Sequence, residues 1–90
     1  MFTKLAPPKV RHSSGYVVQV ANREAVEYLE AERRAVVGVD FGITVSVYAN
    51  RMKEWLVSGG SSEMSAGDRT EIVRRIVAGL EAMGSKVVVC

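Results

Sequence analysis

The stretch Ile43-Thr44-Val45-Ser46-Val47-Tyr48-Ala49 alternates side chains strictly, and the stretch Ser65 to Met83 repeats its apolar residues every three or four positions. The first has the two-residue period of a strand with one dry face. The second has the 3.6-residue period of a helix with one dry stripe. In the strand, Ile43, Val45, Val47 and Ala49 share a side, and Thr44, Ser46, Tyr48 and Asn50 share the other. Just upstream, Val37, Val39 and Phe41 alternate with Val36, Gly38 and Asp40, and Gly42 sits where a positive-φ turn would reverse the chain. So short a link excludes a parallel crossover, so the pair reads as an antiparallel hairpin. In the helix, Ile72, Val73, Ile76, Val77, Leu80 and Met83 form the stripe. Ser65 is placed to cap the start with Asp68, and Gly84 ends it. Gly79 borders the stripe, where it costs helix propensity; close approach to the sheet is the physical reason for it there. Glu71 is spaced to pair with Arg74 or Arg75 on the exposed side.

Working outward, Lys86-Val87-Val88-Val89 reads as a last, edge strand, and Tyr16 to Ala21 as the first. Arg23 to Ala35 is the hardest stretch. Its composition favours helix, yet Ala25, Val26, Tyr28, Leu29 and Ala31 spread round most of a helical wheel. The reading favours strand–turn–strand with the turn at Glu30 to Arg33, and a helix is the alternative. Residues 1–14, with Pro7-Pro8 and the polar run Arg11-His12-Ser13-Ser14, read as a mobile leader. Residues 15–90 read as a single domain. The expected fold is α+β: an antiparallel meander of about four strands packed on one long C-terminal helix, with a short C-terminal strand.

Ninety residues support one core, and 48% apolar with 24% charged residues is a globular balance. A net charge of +2, with Lys and Arg interleaved with Glu, does not make the stripe of a dedicated nucleic-acid binder. The single cysteine, Cys90, excludes an intrachain disulfide. No apolar run reaches the ~20 residues of a membrane span, and the first residues lack a signal peptide's apolar core. The expectation is a cytoplasmic protein.

Several motifs invite chemistry. Asp40-Phe41-Gly42 matches a magnesium-binding tripeptide of protein kinases, whose other parts do not fit in this length. Val37 to Thr44 resembles the metal-holding hairpin of actin-like ATPases and RNase H-like nucleases, which need further acids on other strands. Ser58-Gly59-Gly60-Ser61-Ser62 lacks the Gly-Lys-Ser/Thr ending of a phosphate loop and reads as a flexible connector. His12 has no neighbouring ligand or base in sequence and reads as solvated. No catalytic residue, metal site or cofactor is expected. Tyr48, Arg51 and Trp55, grouped at one end of the hairpin, are the expected partner-contacting residues, since amphipathic aromatics and Arg favour interfaces. Alternatives are a metal-dependent fragment using Asp40, and a nucleic-acid module using Arg23, Arg33, Arg34 and Arg51.

One resemblance covers most of the chain. Gly15-Tyr16-Val17-Val18, then Arg23 to Tyr28 with Glu30 and Arg33, then Val47-Tyr48-Ala49, Met52-Lys53-Glu54-Trp55, and finally the capped helix with Val87-Val88-Val89 resemble the bacterial polymorphic-toxin immunity proteins of the immunity protein seventy-four family. The chain departs from that pattern by having Leu56-Val57-Ser58 after the tryptophan, where Pro is common, and Ala31 where Gly is usual. The resemblance implies a non-enzymatic protein that neutralises a cognate toxin domain by direct contact in the bacterial cytoplasm. It brings no catalytic residues. Membrane and nucleic acid are not expected partners, and a homodimer through Lys86 to Val89 stays open.

Overall fold

The computed structural model describes residues 2–4, 9–31, 33–52 and 54–90, with the side chains of Lys4 and Arg51 outside that description. The elements in chain order are strands β1 (Phe2–Lys4), β2 (Lys9–His12), β3 (Val17–Asn22), β4 (Ala25–Glu30), β5 (Arg33–Asp40), β6 (Val45–Tyr48), β7 (Glu54–Val57) and β8 (Gly60–Glu63), then helix α1 (Ala66–Ala82) and strand β9 (Val87–Val89). A single 3₁₀ turn, Ala49–Arg51, follows β6. The fold is α+β, as its periodicities require, but the described sheet has nine strands rather than about four.

The strands run in the order β1-β2-β3-β4-β5-β6-β9. Every neighbouring pair is antiparallel except β6 and β9, which are parallel with Val45 beside Val87. Strand β5 is long enough to serve two partners along one edge: Arg34 lies across from Leu56 of β7, and Gly38 to Asp40 pair with β6. The strand–turn–strand reading of residues 23–35 is what forms, with Glu30 opposite Arg33. Ala31 bridges them at φ 50°, a left-handed conformation. A register shift between Val20 and Asn22 adds local twist to β3. The sheet curls, so that α1 touches β2, β3 and β4 on one side and β9 on the other.

Alternation decides which side chains line the inside of that curl. Val18, Val26, Tyr28, Ala35, Val37, Val45 and Val47 point inward and are buried, and Ile72, Val73, Ile76 and Leu80 of α1 meet them. Each large side chain withdrawn from water is worth about 1.5–3 kcal/mol gross. Ser65 caps α1 by accepting from the Asp68 N–H at 3.0 Å. Gly79 does mark a close approach: a Cβ there would lie 2.7 Å from Cγ2 of Val18.

Several expectations change. Phe2–Lys4 and Lys9–His12, assigned to a leader, are paired strands of the sheet, while Pro7-Pro8 lies outside the described residues. The Gly/Ser connector folds back as β8, because Gly59 at φ 87° supplies the hairpin turn and Val57 then faces Gly60. Gly42 is not a positive-φ residue, and the β5–β6 link runs through to Thr44. Ile43 consequently leaves the apolar face and is fully exposed. Helix α1 closes at Ala82 with Met83 as its C-cap, and Gly84 follows at φ 95° as the stop signal. Among the described residues no helix is long and apolar enough to cross a membrane.

Candidate functional site

With α1 inside the curl, the other side chains of each strand form a convex outer face. The register sets them in rows. Arg11, Val17, Leu29, Arg34 and Leu56 lie abreast across β2, β3, β4, β5 and β7. Lys9, Gln19, Glu27 and Val36 form the next row, and Ala25, Gly38 and Tyr48 the one after. Val17, Leu29, Tyr48 and Leu56 are half-buried, and Val36 is exposed. An ion pair crosses this mixed face, Arg34 Nη1 to Glu27 Oε2 at 3.3 Å. Beside it, Leu29, Ala31, Arg33, Arg34, Leu56 and Val57 line an open cleft of about 480 Å³ between the β4–β5 turn and the β7–β8 hairpin.

The inner face ends in a polar network. Tyr28 Oη donates to Glu30 Oε1 at 2.6 Å, and Arg75 Nη1 of α1 donates to both, at 2.8 and 2.9 Å. Arg75 Nε also reaches Glu71 Oε1 at 3.1 Å, and Arg74 bonds the same carboxylate. Arg33 binds Glu30 Oε2 at 2.9 Å while its guanidinium lies 3.9 Å from the Trp55 ring centroid. Burial, reinforced by the hydrogen bond to Glu30, pushes the Tyr28 hydroxyl pKa up to about 12. The Tyr28 hydrogen bond, with Arg33 and Arg75 adding positive charge, holds Glu30 below the usual carboxylate value despite its partial burial. At neutral pH these groups are a neutral phenol, a carboxylate and guanidinium cations. Such a set ties α1 to the β4–β5 hairpin.

Of the expected contact residues, Tyr48 and Trp55 lie on opposite faces of the sheet. Tyr48 stands on the convex face. Trp55 is 2% exposed and packs inward beside Tyr28, with 6.2 Å between ring centroids. The Trp55 indole N–H has no hydrogen-bond partner among the described residues. Arg51 ends the 3₁₀ turn, and its side chain lies outside the description. Asp40 is exposed at the end of β5, across from Ser46. Among the described residues no three His, Cys, Asp or Glu side chains gather. Arg23 occupies the β3–β4 turn, Arg34 pairs with Glu27 on the convex face, and Arg33 lies over the Trp55 ring at the edge of the same cleft. His12 is not simply solvated: its ring stacks on Tyr16 at 4.7 Å and 7° between planes, and Nδ1 lies 2.8 Å from Ser14 Oγ.

The sequence reading missed the link from Arg75 to Tyr28 and Glu30, because its partners are 47 and 45 residues apart. Only the Glu71–Arg75 spacing hinted at it, and that spacing implied an exposed pair. Comparison with protein-family models, with curated proteins and with solved structures finds no match to this chain.

Proposed function

We propose that this chain is a non-enzymatic immunity protein that binds a cognate bacterial toxin domain through the convex face of its sheet and blocks the toxin's action in the cytoplasm. The observation that carries the reading is the composition of that face. Leu29, Val36, Tyr48 and Leu56 offer apolar and aromatic contacts beside the Arg34–Glu27 pair, with Lys9, Arg11 and Gln19 as the polar border, on the side of the sheet opposite α1. Protein interfaces combine an apolar centre with aromatic and Arg anchors in this way. The resemblance of the sequence to toxin-neutralising proteins supplies the partner class. In this reading Tyr48 and Arg51 belong to the contact surface, and Trp55 supports it from the inside by holding β7 against β5.

The test is to look for a toxin domain encoded beside this chain and to co-produce the two, followed by purification and a cell-survival assay; the lack of such a neighbour also counts against the proposal. The wild-type chain should bind that domain and rescue growth. Val36→Arg and Tyr48→Ala should each weaken binding at least tenfold, the loss of ~1.4 kcal/mol or more typical of an interface anchor, with unchanged circular dichroism. Survival without complex formation, or binding indifferent to both substitutions, overturns the proposal.

A further inference from the structure

Strand β9 ends the sheet, and among the described residues only β6 pairs with it. The Val45 N–H donates to the Lys86 carbonyl at 2.7 Å, and the Cys90 N–H donates to the Val47 carbonyl at 2.8 Å. In a parallel ladder alternate residues address the neighbour, so Lys86, Val88 and Cys90 turn their backbone groups to β6. Val87 and Val89 therefore turn an N–H and a carbonyl each to the outside. Natural proteins protect such edges with charge, proline or bulges. The outer edge of β8 belongs to Gly60-Ser61-Ser62-Glu63, polar and exposed. The edge of β9 carries three valines. Val88 and Val89 are 47% and 51% exposed, and Ile43, two residues before the strand that pairs with β9, is 100% exposed.

We propose that the outer edge of β9 pairs with the same edge of a second copy of this chain, antiparallel, about a twofold axis at Val88. That register uses every outward group of the strand. Val87 of one copy and Val89 of the other exchange two hydrogen bonds, the symmetric pair exchanges two more, and the two Val88 residues face each other in the closer, non-hydrogen-bonded position. The charges accept it as well: Lys86 meets Cys90 of the other copy, so no like charges oppose across the seam. Valine against valine is the pairing that a pleated edge favours. A three-residue seam falls short of the ~800 Å² per partner of a standard stable interface, so the dimer is reversible and forms with rising concentration. The proposal is independent of the toxin-binding reading, because Leu29, Val36 and Leu56 stay on the convex face of each copy.

Sedimentation velocity on the full chain, from about 1 μM to about 1 mM, a range that brackets weak association, should show monomer giving way to dimer. Val88→Lys brings two ammonium groups together at the axis and should weaken dimerisation at least tenfold, whereas Val36→Lys should leave it unchanged. In a Cys90→Ser background, Val88→Cys should form a covalent dimer under mild oxidation, because directly opposed side chains bring their Cβ atoms within ~4.5–5.5 Å. Val89→Cys, which faces Val87 instead of itself, should cross-link far less. A monomer at all concentrations, or equal cross-linking at the two positions, overturns the proposal.

Discussion

Gly79 shows how one missing methyl group sets the distance between helix and sheet. A Cβ there would sit 2.7 Å from Cγ2 and 2.8 Å from Cβ of Val18. Val18 is completely buried and its Cβ is fixed to the backbone of β3, so it has little room to retreat. Gly79→Ala gains up to ~1 kcal/mol of helix propensity but incurs about 1–3 kcal/mol of overpacking. The second effect wins, because the clash is with a branched carbon and not with the tip of a flexible chain. Urea denaturation should show a net loss of up to about 2 kcal/mol, the upper end of the difference between those two terms. A gain in stability would mean that α1 can shift away from Val18 at no cost.

Among the elements, the β4–β5 hairpin is held open to improvement by Ala31. Its φ of 50° is strained for a side chain with a Cβ and free for glycine. Glycine also loses more chain entropy on folding, which offsets part of the relief. Ala31→Gly should raise stability by about 0.5–1 kcal/mol, the part of a ~1–2 kcal/mol left-handed penalty that survives that offset. The readout is the thermal midpoint, and the Glu30–Arg33 bridge should persist. An unchanged or lower midpoint would count against strain at this position. The hairpin was legible from sequence because Val26 and Tyr28 alternate with Glu27, and α1 was legible because stripe, cap and stop signal agree. Strands β1, β2, β7 and β8 were not, since each is short and rests on its partner strand more than on its own propensity. Phe2 packs edge-on to His12 and Tyr16, contacts that no local pattern announces. The four residues of β8 are all exposed, and only the turn at Gly59 and the ladder to β7 order them. The convex face was half legible: alternation separates Val36 from Val37, but which of them faces water depends on where α1 lies.

At the scale of the whole molecule, Glu30 joins three parts that are far apart in sequence: Tyr28 on its own strand, Arg33 across the hairpin and Arg75 on α1. Together with the buried stripe, it fixes the rotation of α1 within the curl and so the shape of the convex face outside it. Its carboxyl pKa is lowered from 4.5 in the folded chain, first by the Tyr28 hydrogen bond and then by Arg33 and Arg75. A carboxylate with a depressed folded pKa adds stability that is fully present above its unfolded value and disappears as pH falls through the folded value. Glu30→Gln retains the shape but removes the charge, so it should destabilise the protein at pH 7 by about 1.5–3 kcal/mol, the range for hydrogen bonds to charged groups. The difference between variant and wild type should shrink below about pH 4, as Glu30 itself becomes protonated. Both chains should keep some acid sensitivity, because Arg74 and Arg75 also hold the Glu71 carboxyl below its usual value. Urea midpoints at pH 7 and pH 3 measure this directly. A gap of equal size at the two pH values would show that Glu30 contributes by packing alone, and that the orientation of α1 rests on its apolar stripe.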